Sequence, residues 1–225
     1  MSEWWTYSPA NFLMFSARTY YRLFEAQNHA LWPGHVIVLA AGVAIMALVM
    51  RPNARSGLFA AALLGTGWLV VAGSYFWTRY AEIHTAGRSF AAAFAVQAVA
   101  LLWVGVYRAR FEIPAPTSLR GRAGLALLFF AVFLHPLLGV AIGRPLGQAE
   151  IFGLMPDPTT VATAGLLLVT LRCSCWLWAI PVGWSLYSGM TLWTLGAPDA
   201  VVLPGLVVAA LVARLWRPQT EQGQG

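Results

Sequence analysis

Long apolar runs separated by single arginines are the feature that most limits what this chain can fold into. A helix needs about 20 apolar residues to cross the roughly 30 Å hydrocarbon core of a bilayer. The sequence is 59% hydrophobic and only 10% charged, against about 25% charged in soluble domains. It is therefore predicted to be an all-α polytopic transmembrane bundle of about seven spans. The seven apolar runs are 34–50, 56–77, 89–107, 124–142, 159–171, 176–195 and 200–213, the last continuing to 216.

The arginines predict the orientation. All 14 basic residues are Arg, and they lie between the apolar runs rather than on one water-exposed face, which argues against nucleic acid as a partner. With seven spans, one side holds nine arginines and two acidic residues, and the other holds five arginines and six acidic residues, a balance of +7 against −1. Because short cytoplasmic loops collect basic residues, we expect a bacterial cytoplasmic (inner) membrane protein with its N-terminus outside and its C-terminus inside.

The fifth run, 159–171, is too short to cross a bilayer unaided. Six spans are the alternative, but they would place Arg172 at depth or move the C-terminal arginines outside, and a central arginine costs about 2.5–3.5 kcal/mol. We therefore expect 151–155 to supply the missing length, with Pro156-Asp-Pro158 as a break inside or at the edge of the membrane. Broken segments tend to line cavities, because their backbone groups must be satisfied by protein or water.

Residues 1–33 are predicted to be an outer-side interfacial amphipathic segment, ahead of a helical bundle at 34–217 and a polar cytoplasmic tail at 218–225. Ser8 and Pro9 suit the N-cap and first turn of a helix that runs to about Gln27. At 100° per residue its polar side chains form one arc, and most of the remaining surface is apolar. A membrane-surface anchor is favoured over a substrate lid. The polar arc consists of Asn11, Arg18, Arg22 and Glu25.

Several aromatic and proline-rich motifs resemble a family of uncharacterised bacterial multi-pass membrane proteins, a domain of unknown function. The resemblance covers nearly the whole chain. It implies a helical membrane fold and supplies no activity, substrate or catalytic residue. The motifs are Glu3-Trp-Trp-Thr-Tyr-Ser-Pro9, Asn11-Phe-Leu-Met-Phe15, Tyr20-Tyr-Arg-Leu-Phe-Glu25, Phe152-Gly153, Pro156-Asp-Pro-Thr-Thr160, Ile180-Pro181 and Trp184-Ser185.

Two polar residues lie near the middle of predicted spans. His135, in the fourth run, is a functional candidate because ionisable residues are costly at this depth. It could titrate in a proton relay or ligate a metal, but we favour a single hydrogen bond to a neighbouring helix. Gln97, in the third run, has the same two interpretations, with the structural one stronger because an amide cannot titrate.

The predicted outer loops carry a second set of candidates. Glu82 and His84 share one loop, so a single cation could contact both, and Asp157 lies in the proline-broken segment. The spacing matches no metal motif. No metal or cofactor is therefore assigned, and solvated loop residues are the favoured interpretation. His29, His35 and Glu150 complete this set.

Three functional hypotheses fit these residues. The favoured one is a permease for a small solute or ion, with His135 and the broken fifth segment lining the path. The second is a non-catalytic subunit or scaffold, which would pack against membrane-protein partners or another copy through its Gly and Ala faces. The third is a membrane-embedded enzyme acting on an apolar substrate, with no catalytic residue assigned. A permease should bring polar groups from several segments to one depth.

Overall fold

The computed structural model describes residues 15–171 and 174–215, and this part of the chain is helical, without a β-strand. The predicted all-α fold is confirmed. The predicted helix start at Ser8-Pro9, Asn11 of the polar arc and the 218–225 tail lie outside the described residues. The helices are α1 (Ala17–Ala30), α2 (Gly34–Met50), α3 (Ser56–Ile83), α4 (Gly87–Tyr107), α5 (Leu119–Ala141), α6 (Pro156–Val169), α7 (Ala179–Thr194) and α8 (Val202–Leu215).

Three helices in the described part of the chain, α3, α4 and α5, are long and apolar enough to cross a bilayer. The pair α1 and α2, bent by 93°, makes a fourth candidate if it counts as one span. These are fewer than the seven spans predicted. The last two apolar runs overestimated helix length, because part of each forms turns. The sixth run begins with a 3₁₀ turn over Cys175–Trp178, and the last begins with turn residues before Val202.

Helix α6 lies at the centre of the bundle, where all 14 of its residues are buried. It packs on α3, α5, α7 and α8. Its closest approach is to α5, where a Cβ on Gly165 would come within 2.7 Å of the Gly124 carbonyl oxygen. Glycine at both positions therefore allows direct backbone contact between the two helices.

The proline pair of the fifth segment begins α6 rather than interrupting a longer helix. Pro156 is the first helical residue, and 151–155 forms turns, so it does not add the helical length that the sequence predicted. Proline is favoured at this position because the first helical N–H has no partner within the helix. Thr159 ties the preceding segment down: the Gly153 N–H donates to its Oγ1 at 2.9 Å, and that hydroxyl donates to the Met155 carbonyl at 2.7 Å.

Three of the helices contain π-helical stretches: Val71–Tyr80 in α3, Leu102–Tyr107 in α4 and Phe130–Leu134 in α5. The last ends immediately before His135 and Pro136, and the His135 N–H donates to the Phe130 carbonyl five residues earlier. Pro136 has no N–H to continue the α-helical pattern. The wider turn is therefore a local consequence of the proline.

Helix α1 presents one polar and one buried face. Ser16 caps it, with its Oγ accepting from the Thr19 N–H at 3.3 Å. The three charged residues of the predicted polar arc are exposed: Arg18, Arg22 and Glu25. The opposite face is buried against the bundle and consists of Tyr20, Leu23, Phe24, Gln27 and Asn28. The interfacial position of this helix stays a prediction.

The bundle has two chemically different ends. At one end, Arg214 of α8 donates to the Thr170 and Leu171 carbonyls at 2.7 and 2.9 Å. At the other end, the loop after α5 contacts α1, with Asn28 donating to the Gly147 carbonyl at 2.9 Å. We call these the Arg214 end and the α1 end.

Candidate functional site

A buried cluster of ionisable side chains lies at the α1 end. Arg144 and Glu150 come from the loop between α5 and α6, Asp199 from the loop between α7 and α8, and Asp157 from the first turn of α6. We call these four residues the Arg144 cluster. Two of the three carboxyl groups pair with the one guanidinium, and Asp157 lies close enough to feel its charge, so full ionisation would leave excess negative charge in a buried place.

The end of α5 determines where the Arg144 side chain lies. The helix closes with a Schellman motif, in which the Gly143 N–H donates to the Val140 carbonyl and the Arg144 N–H to the Gly139 carbonyl. Gly143 has a φ of +90°, which favours glycine. The chain turns back, and the guanidinium packs on Gly139, where a Cβ would come within 2.9 Å of Arg144 Nε. The Arg144 guanidinium therefore lies beside Gly139, one helical turn beyond His135.

Two carboxylates pair with Arg144. Its Nη2 donates to Asp199 Oδ2 at 2.8 Å, and its Nη1 donates to Glu150 Oε1 at 3.3 Å. The guanidinium carbon also lies 4.6 Å from the ring centroid of Tyr21. All three side chains of the ionic triad are at most 10% exposed. Because water screens these charges poorly, the Coulombic attraction within each pair is stronger than it would be at a surface.

Helix α1 holds the Glu150 loop in place. Asn28 Nδ2 donates to the carbonyls of Gly147 and Ala149, at 2.9 and 2.8 Å. Gln27 Nε2 donates to Ser74 Oγ in α3 and to the Leu154 carbonyl, at 2.7 and 3.2 Å. The amides of α1 therefore fix the backbone on both sides of Glu150.

Asp157 links α6 to α7. Its Oδ1 accepts from Trp184 Nε1 and its Oδ2 from the Ser188 hydroxyl, both at 2.8 Å. A carboxylate in the first turn of a helix is also stabilised by the helix dipole. Trp184 packs against Phe76 and Phe94, with ring centroids 5.0 and 5.4 Å away. The donors to Asp157 are thus fixed by aromatic packing.

The same turn of α7 reaches His84 through hydrogen bonds. The hydroxyl of Tyr187 lies 3.2 Å from His84 Nε2 and 3.1 Å from the Tyr80 hydroxyl. The Ala86 N–H donates to His84 Nδ1 at 3.1 Å, so Nε2 is the protonated nitrogen in the neutral ring and donates to Tyr187. Tyr187 precedes Ser188, the donor to Asp157, so α7 connects the half-buried His84 to the buried carboxylate.

Burial raises the pKa of Glu150 to about 8, and the charge of Asp157 adds to this rise, while Arg144 opposes it. Burial acts to lower the pKa of Arg144, but the charges of Glu150 and Asp199 outweigh it and raise that pKa. The shorter distance to Asp199 agrees with these directions, since Asp199 is the main ionic partner of Arg144. Glu150 therefore holds its proton more tightly than a solvent-exposed carboxyl group does.

The predicted site residues are not gathered at one point. Glu82 is exposed, and His84 lies nearby in contact with Tyr187. Gln97 is buried and donates to the Leu177 carbonyl at 3.1 Å, joining α4 to the 3₁₀ turn before α7. His135 is buried, and its Nδ1 has no partner among the described residues. No three metal-ligating side chains come together in the described part of the chain.

Sequence reasoning missed the central role of Arg144. It treated this arginine as one of the loop charges that set topology, and it placed Glu150 among solvated loop residues. A usable signal was present, because Arg144 is the one arginine between the fourth and fifth apolar runs, and Glu150 and Asp157 follow it in the same stretch. Asp199 lies in another loop predicted on the same side. Only the fold brings Asp199 to Arg144, from 55 residues along the chain.

The fold and site define a class: an all-helical protein with several helices that could span a membrane and a buried ionic cluster at one end. The chain belongs to a family of unknown function, DUF6064, whose sequence profile matches residues 17–224. The predicted resemblance to a family of unknown function is thereby confirmed. The comparison with curated proteins and that with solved structures each found no match.

Proposed function

We propose that this protein is a multi-pass membrane permease for a small solute or ion, in which protonation of the Arg144 cluster drives transport. The observation that supports this most is that Arg144, Glu150 and Asp199 pair in the interior of the α1 end while Asp157, from a third segment of the chain, lies near enough to interact with their charges. A membrane subunit that only packs against partners needs no such group, because buried ion pairs contribute little net stability compared with apolar packing.

In this proposal the shorter helices also cross the membrane, giving seven crossings with the α1 end outside. The loops of the α1 end carry the predicted acidic side, and those of the Arg214 end carry the predicted basic side. Helix α6 is short, with 14 residues, and lies enclosed by its neighbours. A short, buried helix whose first turn carries a functional group is typical of discontinuous helices in transporters.

The cluster offers a specific exchange. When Glu150 is ionised, Arg144 is shared between Glu150 and Asp199. When Glu150 takes up a proton, Arg144 remains paired with Asp199 and the attraction toward Glu150 is lost. Arg144 Nε and Asp199 Oδ1 have no partner among the described residues, and these are the groups that contact the solute. His84 and Tyr187 lead from the less buried surface toward Asp157 and form the route for the proton.

Transport assays in liposomes test the proposal. The purified protein is reconstituted with an internal pH-sensitive dye and given an imposed pH gradient, together with a panel of amino acids, sugars, organic acids and metal cations. We expect the wild type to move protons together with at least one solute. We expect Glu150→Gln and Asp157→Asn to abolish solute-dependent proton movement.

Glu25→Gln is the matched control, because Glu25 is an exposed carboxylate of α1 at the same end of the bundle. It should transport like the wild type. A wild-type protein that is as impermeable as empty vesicles to every solute would contradict the permease function. In that case the subunit hypothesis, tested by purifying the protein with its membrane partners, would take its place.

A further inference from the structure

A large apolar groove lies away from the Arg144 cluster, on the outer surface of the bundle. It has a volume of about 1150 Å³ and runs between α2, α5 and α8, with α6 as its floor. Small, aliphatic and aromatic residues line it. Residues that define it are Ala47, Ala126, Phe130, Leu168 and Ala210, with Arg122 at its rim.

Arg122 is the only charged side chain among the described residues that line the groove. It lies in the first turn of α5 and is exposed. Its backbone N–H donates to the Ser118 carbonyl at 3.0 Å, but its guanidinium makes no hydrogen bond or ion pair with any described residue. An unpaired guanidinium beside an apolar groove is complementary to an amphiphile with an anionic head and an apolar tail. Arginine recognises phosphate oxygens through paired, charge-assisted hydrogen bonds.

The dimensions fit one membrane leaflet. The groove follows α5 from Arg122 to Leu134, which at 1.5 Å per residue is about 18 Å. Half of a hydrocarbon core of about 30 Å is about 15 Å, the depth that one acyl chain occupies. An acyl chain along α5 would therefore place its headgroup beside Arg122.

We propose that this groove binds one anionic phospholipid, with an acyl chain between α2, α5 and α8 and its phosphate on Arg122. The lipid comes from the leaflet on the Arg214 end, which the sequence predicts to be cytoplasmic. The groove is too apolar to serve as a path for a polar solute. It is therefore a lipid site, separate from the proposed transport site.

Quantifying bound lipid tests the proposal. The full chain is purified in mild detergent, stripped of lipid, and titrated with phosphatidylglycerol or phosphatidylcholine of identical acyl chains, with binding followed by native mass spectrometry. We expect one phosphatidylglycerol per chain, bound in preference to phosphatidylcholine. Arg122→Gln should weaken phosphatidylglycerol binding about tenfold, the loss typical of a charged hydrogen-bonded pair, while Arg122→Lys should retain most of it.

Two matched pairs of variants separate the groove from general lipid adhesion. Ala126→Phe fills the groove and should abolish binding, while Ala92→Phe, at an exposed alanine of α4 outside the groove, should not. Arg108→Gln removes an exposed arginine of the same end and should also bind normally. Equal binding of the two lipids, or unchanged binding by Arg122→Gln, would overturn the proposal. If Ala126→Phe is not monodisperse, the comparison of Arg122→Gln with Arg122→Lys decides.

Discussion

At the scale of single residues, the Arg144 cluster is governed by the cost of burying charge. Arg144 lies near three carboxyl groups and pairs with two of them, Glu150 and Asp199. The side chains of these ion pairs are at most 10% exposed to solvent. A buried charge that loses its partner costs far more than the pair contributes. Glu150 adds a second property, because a pKa raised to about 8 by burial keeps this carboxyl group mostly protonated at neutral pH.

Arg144→Gln should destabilise the protein by about 3–5 kcal/mol, because the Asp199 carboxylate would then lie in the protein interior without its cation. Thermal unfolding in detergent at neutral pH measures the loss. Arg214→Gln is a suitable comparison, since among the described residues the Arg214 side chain bonds to backbone carbonyls and to no carboxylate. An Arg144→Gln variant as stable as the wild type would show that the cluster is not a buried ionic unit.

Glu150 should make stability depend on pH in a defined direction. Its native pKa of about 8 lies above the ordinary value of 4.5, so the folded state binds the proton more tightly than the unfolded state. This contribution is fully present below about pH 4.5 and is lost as pH rises through about 8. Arg144, Asp157 and Asp199 are the charged groups that act on Glu150.

We therefore expect the melting temperature of the wild type to fall between pH 5 and pH 9, and Glu150→Gln to reduce that dependence. Glu25→Gln, on the exposed face of α1, should leave the wild-type curve unchanged. A Glu150→Gln curve parallel to that of the wild type would mean that Glu150 does not exchange its proton in this range.

At the scale of helices, glycine contacts and proline positions decide how the elements fit. Gly124 and Gly165 allow α5 and α6 to touch through their backbones. Pro156 begins α6, whereas Pro136 widens α5 into a π-helical turn beside His135. The sequence indicates where a proline disturbs a helix, but the outcome depends on whether an earlier turn is there to lose a hydrogen bond.

Gly165→Ala should destabilise the protein by about 1–3 kcal/mol, because its methyl group would meet the Gly124 carbonyl oxygen, a backbone atom with little freedom to move. Gly183→Ala is the matched control in α7, since nothing lies within 4 Å of a Cβ there. It should be neutral or slightly stabilising, as alanine has the better helix propensity. Equal melting temperatures for the two variants would contradict direct α5–α6 backbone contact.

At the scale of the whole molecule, the two ends of the bundle differ in charge and in construction. The α1 end has an amphipathic helix, a buried ionic cluster and the acidic loops. The Arg214 end has most of the arginines. This asymmetry supports one orientation in a membrane.

Cysteine labelling tests that orientation. In a background with Cys173→Ser and Cys175→Ser, single cysteines replace Thr85 at the α1 end or Thr117 at the Arg214 end, both exposed. We expect a membrane-impermeant maleimide added to intact cells to label Thr85→Cys and not Thr117→Cys. The reverse pattern would overturn the orientation, and labelling of both would overturn the separation of the two ends across the membrane.

The sequence by itself determined the helical class, the approximate positions of the helices and the division of charge between two sides. These properties follow from hydrophobic runs and from where prolines and arginines interrupt them, which are local along the chain. The tertiary structure decided the length of the shorter helices, the enclosure of α6 and the meeting of Arg144 with Asp199. Those depend on contacts between distant segments and on the free energy of burying charge, and neither can be calculated from local spacing.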